Sequence, residues 1–438
     1  MTTRFDEAWR GALKIANTAA KDLDTGVTLI RDLLGRSSMV VDLPGDDPRI
    51  PGLRESLHAS CGPFVGQQPV LLVSTLFAPG QILGSPDRHL VPSFIADSGR
   101  VSVLERGTVG ADWLRPAQEP AGTRVALYGF KGGVGRSTAT FILARHLARQ
   151  GKSVLVADLD LESPGVSSLL HADLQYADHG IVDHLVESAV GNQADLDLVT
   201  RSDSIGELPG NGEVWLASAG GRPRDGYFYL DKLNRVYFDL PPTPGGDTVT
   251  FGRRLADAIA ACEAQVARRS RQPDVVLLDS RSGIHDVAAV TITQLSTLAL
   301  LFATDNPQTW QGYRALFDQW RTRLDAETRD RIRNRIKMVA AMVPSNQAEL
   351  YLRSFADNSQ ECFAATLYDN EEGVTDLDVF NFAPDDPSAP HYPLSISHNS
   401  DLIGLDPNRN NSWANTDLVE AAYREFVNTV SAMLEEGA

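Results

Sequence analysis

From residue 124 onward the chain alternates short apolar runs with longer stretches in which apolar residues recur every three or four positions. The runs Arg124–Tyr128 (RVALY), Ser153–Asp158 (SVLVAD), Glu213–Ala217 (EVWLA), Asp274–Leu278 (DVVLL), Thr297–Phe302 and Ile336–Val343 are rich in Val, Leu and Ala. Such runs predict strands buried on both faces. Thr138–Gln150, Phe251–Arg268 and Trp310–Arg323 carry helical spacing. In Phe251–Arg268, Leu255, Ile259, Cys262 and Val266 fall at i, i+4, i+7 and i+11, one face of a helix. Buried strands separated by amphipathic helices predict an α/β fold, a mostly parallel sheet flanked by helices. Ligands of such sheets bind beyond the carboxyl ends of the strands.

The first part of the chain has a different pattern. Phe5–Leu34 reads as one or two helices and Leu53–Ser60 as another, with strands at Ser38–Leu43, Val70–Leu76 and Arg100–Leu104. This is a small α+β domain. The Gly- and Pro-bearing stretch Gly107–Thr123 (GTVGADWLRPAQEPAGT) separates it from the rest. The expected organisation is an N-terminal domain over 1–115, a linker over 116–123 and the sheet domain over 124–438. His58, Cys61 and His89 are too scattered to suggest a metal or nucleophile site, so the N-terminal domain is expected to be an interaction or regulatory module.

Two further stretches are predicted to be buried or packed. Val287–Ala303 is uncharged, but its Thr, Gln and Ser residues and its length fit a buried helix and strand better than a membrane span. Asp417–Leu434 has helical spacing and lacks the Lys/Arg face of an interfacial membrane helix.

Composition narrows the function. The 438 residues include 40 basic and 57 acidic side chains, a net charge of −17 that argues against phosphate backbones or anionic lipid as the main partner. Arg321–Lys337 is locally basic, but Asp325, Glu327 and Asp330 interrupt it as on a solvated helix face. Three widely spaced cysteines and an acidic start with no signal-peptide pattern point to the cytoplasm. His171, His179 and His184 lack the spacing of a ligand set on one helix face. The aromatics of Asp225–Asp239 are expected to pack against the sheet.

The chemistry begins at the end of the first strand, where Gly129-Phe-Lys-Gly-Gly-Val-Gly-Arg-Ser-Thr138 leads straight into a helix. Glycines 132, 133 and 135 allow successive backbone N–H groups to face one concavity, and the helix start adds its positive dipole end. A phosphate chain fits there. Ser137 is placed like the hydroxyl that ligates Mg²⁺ in a P-loop, and Arg136 stands where that pattern has lysine. Two more strands end in acids: Asp158 with Asp160, and Asp279. Carboxylates at such positions can hold Mg²⁺ or orient an attacking water.

Lys131-Gly-Gly-Val-Gly-Arg-Ser-Thr138 resembles the deviant Walker A motif, KGGVGK[ST], of the ParA/MinD family of P-loop ATPases. Asp158-Leu-Asp160 is similar to the family's second motif, and Asp279-Ser-Arg-Ser-Gly283 to its Walker B and second switch. Leu301–Pro307 is similar to the strand and turn that follow. The resemblance covers about 124–430 and implies ATP and Mg²⁺ as cofactors, with hydrolysis to ADP and phosphate that the replacement of the P-loop lysine by Arg136 is expected to slow. By it, Lys131 reaches a partner's nucleotide across a homodimer and Asp160 positions the hydrolytic water. Lys131, Gly132, Gly133, Val134, Gly135, Arg136, Ser137 and Thr138 cradle the phosphates, Asn346 meets the adenine, and Ser137, Asp158 and Asp279 hold the metal. Arg136 departs from the pattern: a forked guanidinium is not equivalent to a compact ammonium.

The expected function is a nucleotide-controlled dimerisation switch that signals to a protein partner through the N-terminal domain or the switch segments. The alternative is an ATP-binding assembly module with little or no turnover, of a regulatory or defence type. DNA partitioning is less favoured, because only Arg321–Lys337 offers a basic face. Cluster-bearing reductases on this scaffold need paired cysteines that are absent, and the tyrosine-rich tail of a bacterial tyrosine kinase is missing from 424–438.

Overall fold

The computed structural model describes residues 3–107, 110–115, 120, 122–171, 175–202, 205, 208–241, 247–369, 379–399 and 417–436. The chain divides into two units, Met1–Pro116 with Leu316–Arg331, and Ala117–Ala315 with Ile332–Ala438.

The smaller unit carries strands β1 (Val27–Arg31), β2 (Ser37–Val41), β3 (Val65–Leu72), β4 (Arg88–Leu90) and β5 (Val101–Glu105) in the order β3-β2-β1-β5-β4. β1 runs parallel to β5 and antiparallel to β2. Helix Phe5–Asp22 turns a face of small residues inward, Ala8, Ala12, Ala16, Ala19 and Ala20, and packs beside helix Ile50–Cys61. The helical pattern expected through Leu34 stops at Asp22. Asp24 adopts a left-handed φ of 50°, and the β-branched run that follows joins the sheet as β1. Leu316–Arg331, inside the span 124–438 taken from the sequence, groups with this unit. There fully buried Trp320 lies 6.1 Å from Trp113, and Arg323 pairs with Glu105.

The larger unit carries β6 (Arg124–Gly129), β7 (Ser153–Leu159), β8 (Thr200–Arg201), β9 (Glu213–Ala217), β10 (Val275–Ser280), β11 (Leu298–Ala303), β12 (Ile336–Val343) and β13 (Leu394–Ser397). Their order is β13-β12-β11-β6-β10-β7-β9-β8, and only β8 pairs antiparallel. Along β7, Val154 and Val156 enter one apolar layer with helices Arg136–Arg149 and Asp417–Glu436. Leu155, Ala157 and Leu159 enter the other, with helices Phe251–Arg269 and Ile181–Ser188. Both faces of the sheet are therefore covered, which is why its strands read as continuous apolar runs. Leu255, Ile259, Cys262 and Val266 all face the second layer.

Val287–Ala303 is a buried helix, a π-turn and β11. The Thr291, Thr293 and Ser296 hydroxyls donate to backbone carbonyls four residues back, at 2.6, 2.8 and 3.1 Å, which lets polar residues sit in an apolar layer. Among the described residues no helix is long and apolar enough to cross a membrane.

The basic stretch Arg321–Lys337 is solvated only in part. Arg333, Arg335 and Lys337 are buried: Arg333 grips the Asp369 carboxylate with two nitrogens, Arg335 donates to the Ser296 carbonyl, and Lys337 donates to the carbonyls of Pro387 and Ala389. The sequence expectation of a solvated face fails because the run passes from the end of the helix Ala326–Arg333 into β12, a strand covered on both faces and buried at nearly every position.

Candidate nucleotide site

β6 lies between β10 and β11, and its carboxyl end opens into the glycine-rich loop. The chain leaves β6 toward β7 on one side of the sheet and later continues to β11 and β12 on the other, so the loop sits where the winding reverses. Gly133 and Gly135 take φ of 77° and 76°, and Gly135 caps helix Arg136–Arg149. Only glycine adopts this region freely, and the resulting turns aim successive amides to one side. Phe130 fits against Gly312, where any Cβ would lie 2.2 Å from the Phe130 ring, and Tyr313 lies 5.8 Å away. Lys131 Nζ donates to Gln308 Oε1 at the start of the helix Pro307–Arg323.

The acids come from neighbouring strand ends. β7 and β10 pair with Asp158 opposite Asp279, so two fully buried carboxylates stand side by side on one sheet face. Asp158 Oδ2 accepts from the Ser167 amide and hydroxyl at 3.0 and 2.6 Å, and its Oδ1 accepts from the Asp160 amide at 3.3 Å. Its observed work is to hold the turn after β7. Asp279 Oδ1 accepts from Thr140 Oγ1 at 3.2 Å.

Arg136 joins these acids. It is buried, with Nε 3.3 Å from Asp279 Oδ1 and one terminal nitrogen 3.0 Å from Asp160 Oδ2. Its other terminal nitrogen and Asp279 Oδ2 are buried without a hydrogen-bond partner among the described residues. Burial pushes the Asp279 and Asp160 carboxyls above the usual range, while the guanidinium pulls both back down. Burial, then the Asp279 charge, raises Asp158 as well. The bridge is thus a charge-neutralising clamp on two carboxylates of the site.

A second cluster ties together the segments after Asp160 and Asp279. Glu162 accepts from Arg281 at 2.5 Å and from Tyr237, and lies 3.5 Å from His285 Nε2. His285 Nδ1 accepts from the Val287 amide, which leaves Nε2 to face Glu162. Tyr128 on β6 donates to the Gly283 carbonyl at 3.2 Å, anchoring the second segment to the first strand.

Of the residues expected from the sequence, the structure brings Lys131–Thr138, Asp158, Asp160 and Asp279 to adjacent strand ends. Asn346 is exposed in the turn after β12, two strands from β6, and shares no hydrogen bond with the others among the described residues. The sequence reading missed Thr140, Glu162, Tyr237 and His285. Their only signal was position: Thr140 one helical turn after Arg136, Glu162 two residues after Asp160, and Tyr237 within the aromatic stretch that was read as packing. Ser137, in the first turn of the helix Arg136–Arg149, and the buried Asp279 carboxylate it neighbours are oxygen ligands of the kind a divalent cation takes, although among the described residues no three His, Cys, Asp or Glu side chains cluster as a metal site.

A strand, a loop with left-handed glycines, a helix start and acids on the adjoining strands define a phosphate-binding α/β protein. The chain belongs to the CobQ/CobB/MinD/ParA nucleotide binding domain family, whose model matches residues 125–372. Solved structures similar to it include pNOB8 ParA bound to nonspecific DNA, at 15% identity over 73% of this chain and 100% of that one, TM-score 0.44. A ParA family ATPase from Chlorobium tepidum TLS is 14% identical over 70% and 98%, TM-score 0.42. The MinD cell division protein of Aquifex aeolicus is 14% identical over 72% and 97%, TM-score 0.40. Among curated proteins there is no significant match.

Proposed function

We propose that the larger unit binds ATP with Mg²⁺ in the cytoplasm and hydrolyses it slowly, as a nucleotide-controlled dimerisation switch read by a protein partner. The observation that carries this reading is the meeting of the left-handed glycine loop with Asp160 and Asp279 through one buried guanidinium. In the reading, the amides of Gly132–Ser137 hold the β- and γ-phosphates and Lys131 leaves Gln308 to reach the nucleotide of a second copy. A Mg²⁺ ion held by Ser137 and Asp279 would neutralise charge on the phosphate oxygens. Asp160, released from Arg136, orients the water. The water oxygen bonds to the γ-phosphorus as the bond to the bridging oxygen breaks, and ADP departs. Glu162, Arg281 and His285 carry the change at one segment to the other.

The second reading, an assembly module that binds ATP without turnover, is favoured by the clamp itself. A phosphate chain must compete with two carboxylates for Arg136, and a guanidinium that stays on Asp160 leaves no free carboxylate to orient water. Phosphate release by the purified protein, measured beside Lys131→Ala and Asp160→Ala with mass by light scattering, separates the two. Turnover lost in both variants with ATP-dependent doubling of mass supports the switch. Tight ATP binding with no turnover supports the assembly module, and no ATP binding refutes both.

A further inference from the structure

The smaller unit holds a cavity of about 390 Å³. Trp9, Leu13, Val91, Ile95 and Val103 supply apolar wall. The same cavity is lined by two guanidiniums that share one carboxylate. Arg31 donates to both Glu105 oxygens at 2.6 Å, and Arg323 reaches only one of them, at 3.3 Å. The other two nitrogens of Arg323 have no hydrogen-bond partner among the described residues and are not sealed from solvent. Both side chains are largely desolvated, 9% and 18% exposed, and the Trp9 ring centre lies 4.3 Å from the Arg31 carbon and 5.4 Å from that of Arg323.

Between the two guanidiniums and the one carboxylate they share, a single positive charge is left over. His89, which also lines the cavity, adds none, because burial and then the Arg323 charge push its pKa down to about 4. Asp6, a further acidic residue along the lining, is itself exposed to solvent. Arg31 places two of its nitrogens on the carboxylate, whereas Arg323 places one. Arg323 instead keeps a free fork beside an indole, in a space large enough for one substituted ring system.

We propose that this cavity is a binding site for a small organic anion, its carboxylate, sulfonate or phosphate head on Arg323 and its apolar body against Trp9. The site gives the smaller unit a chemical input that does not depend on the reading of the larger one.

The probe is 1-anilinonaphthalene-8-sulfonate, an aromatic monoanion whose fluorescence rises on leaving water, titrated into the full chain. One bound probe per chain is expected, unaffected by saturating ATP with Mg²⁺. Arg323→Gln should weaken it tenfold or more, as loss of a charge-assisted hydrogen bond does. The neutral N-phenyl-1-naphthylamine should bind at least tenfold more weakly than the sulfonate. Thr322→Trp, which fills the mouth without removing charge, should block binding, with Leu13→Trp as the second filling variant and circular dichroism confirming the fold. Competition by 1-naphthoate and by 1-naphthyl phosphate tells which head group is preferred, and displacement by either supports the site. Absence of binding overturns the proposal. So does undiminished binding by folded Arg323→Gln and filled variants, or displacement of the probe by ATP.

Discussion

Removing the Arg136 guanidinium tests the central feature of the nucleotide site. Arg136→Ala leaves Asp279, which is fully buried, beside Asp158, which is also fully buried, with no cation on either. Breaking a buried ion pair by deleting one partner costs about 3–5 kcal/mol, because a charge is left uncompensated in a poorly solvating site. Asp279 can escape part of that cost by taking a proton, so the loss should depend on pH. In the variant its folded-state pKa rises further above the unfolded value, the native state binds more protons than the unfolded one, and stability falls as pH rises through that interval. The variant should therefore lie nearest wild type at acid pH and furthest from it at pH 8, with a slope of at most about 1.4 kcal/mol per pH unit for one proton. Urea denaturation in the presence of a chelator, at pH 5.5 and pH 8, measures both quantities. Arg136→Ala/Asp279→Asn should recover most of the stability and lose the added pH slope. A single variant within about 1 kcal/mol of wild type at pH 8, or a slope that survives in the double variant, would refute the clamp.

Three other outcomes are expected. Gly135→Ala has room for its methyl group but must hold φ near 76°, so it should lose about 1–2 kcal/mol in urea melts and weaken ATP binding in calorimetry. His89 has a folded-state pKa near 4 against 6.5 for the free side chain, so its contribution is present above pH 6.5 and is lost as pH falls toward 4. That interval corresponds to about 3 kcal/mol, and His89→Leu should flatten it in acid unfolding curves. Phe426 is fully buried and its ring meets Phe302 edge-on at 6.0 Å, so Phe426→Ala should cost about 3–5 kcal/mol in the chemical unfolding of the larger unit.

The larger unit was legible because each level of its sequence agrees. Val154–Leu159 is apolar at every position since both sheet faces are covered, and the loop glycines stand where left-handed backbone is needed. Acids at strand ends could be paired with the loop by spacing alone. What spacing could not tell was the direction of a long side chain. Arg136 is expected at the phosphates from its place in the loop; its guanidinium rests on Asp160 and Asp279, contacts that spacing along the chain does not reveal. Asp158, expected at the metal, also accepts from the Ser167 amide and hydroxyl, a contact set by the fold of the turn between them. In the smaller unit, β1 was hidden inside a helical pattern because Ala-rich helix and Val/Ile-rich strand follow each other across a single short turn. Lys337 looked solvated by composition but is strand residue with two carbonyl partners.

The grouping of Leu316–Arg331 with Met1–Pro116 has a consequence for biosynthesis. A chain made from its amino terminus presents the five strands of the smaller unit early, but Trp320, which covers Trp113, and Arg323, which answers Glu105, arrive some two hundred residues later. Domains that are continuous in sequence can close as soon as they leave the ribosome. This one cannot, so its last apolar surface waits until β6, β7 and β10 have already been translated. The amino-terminal unit is started first yet stays open until residue 331 has been made, and a fragment cut after residue 116 would keep that unfinished surface permanently.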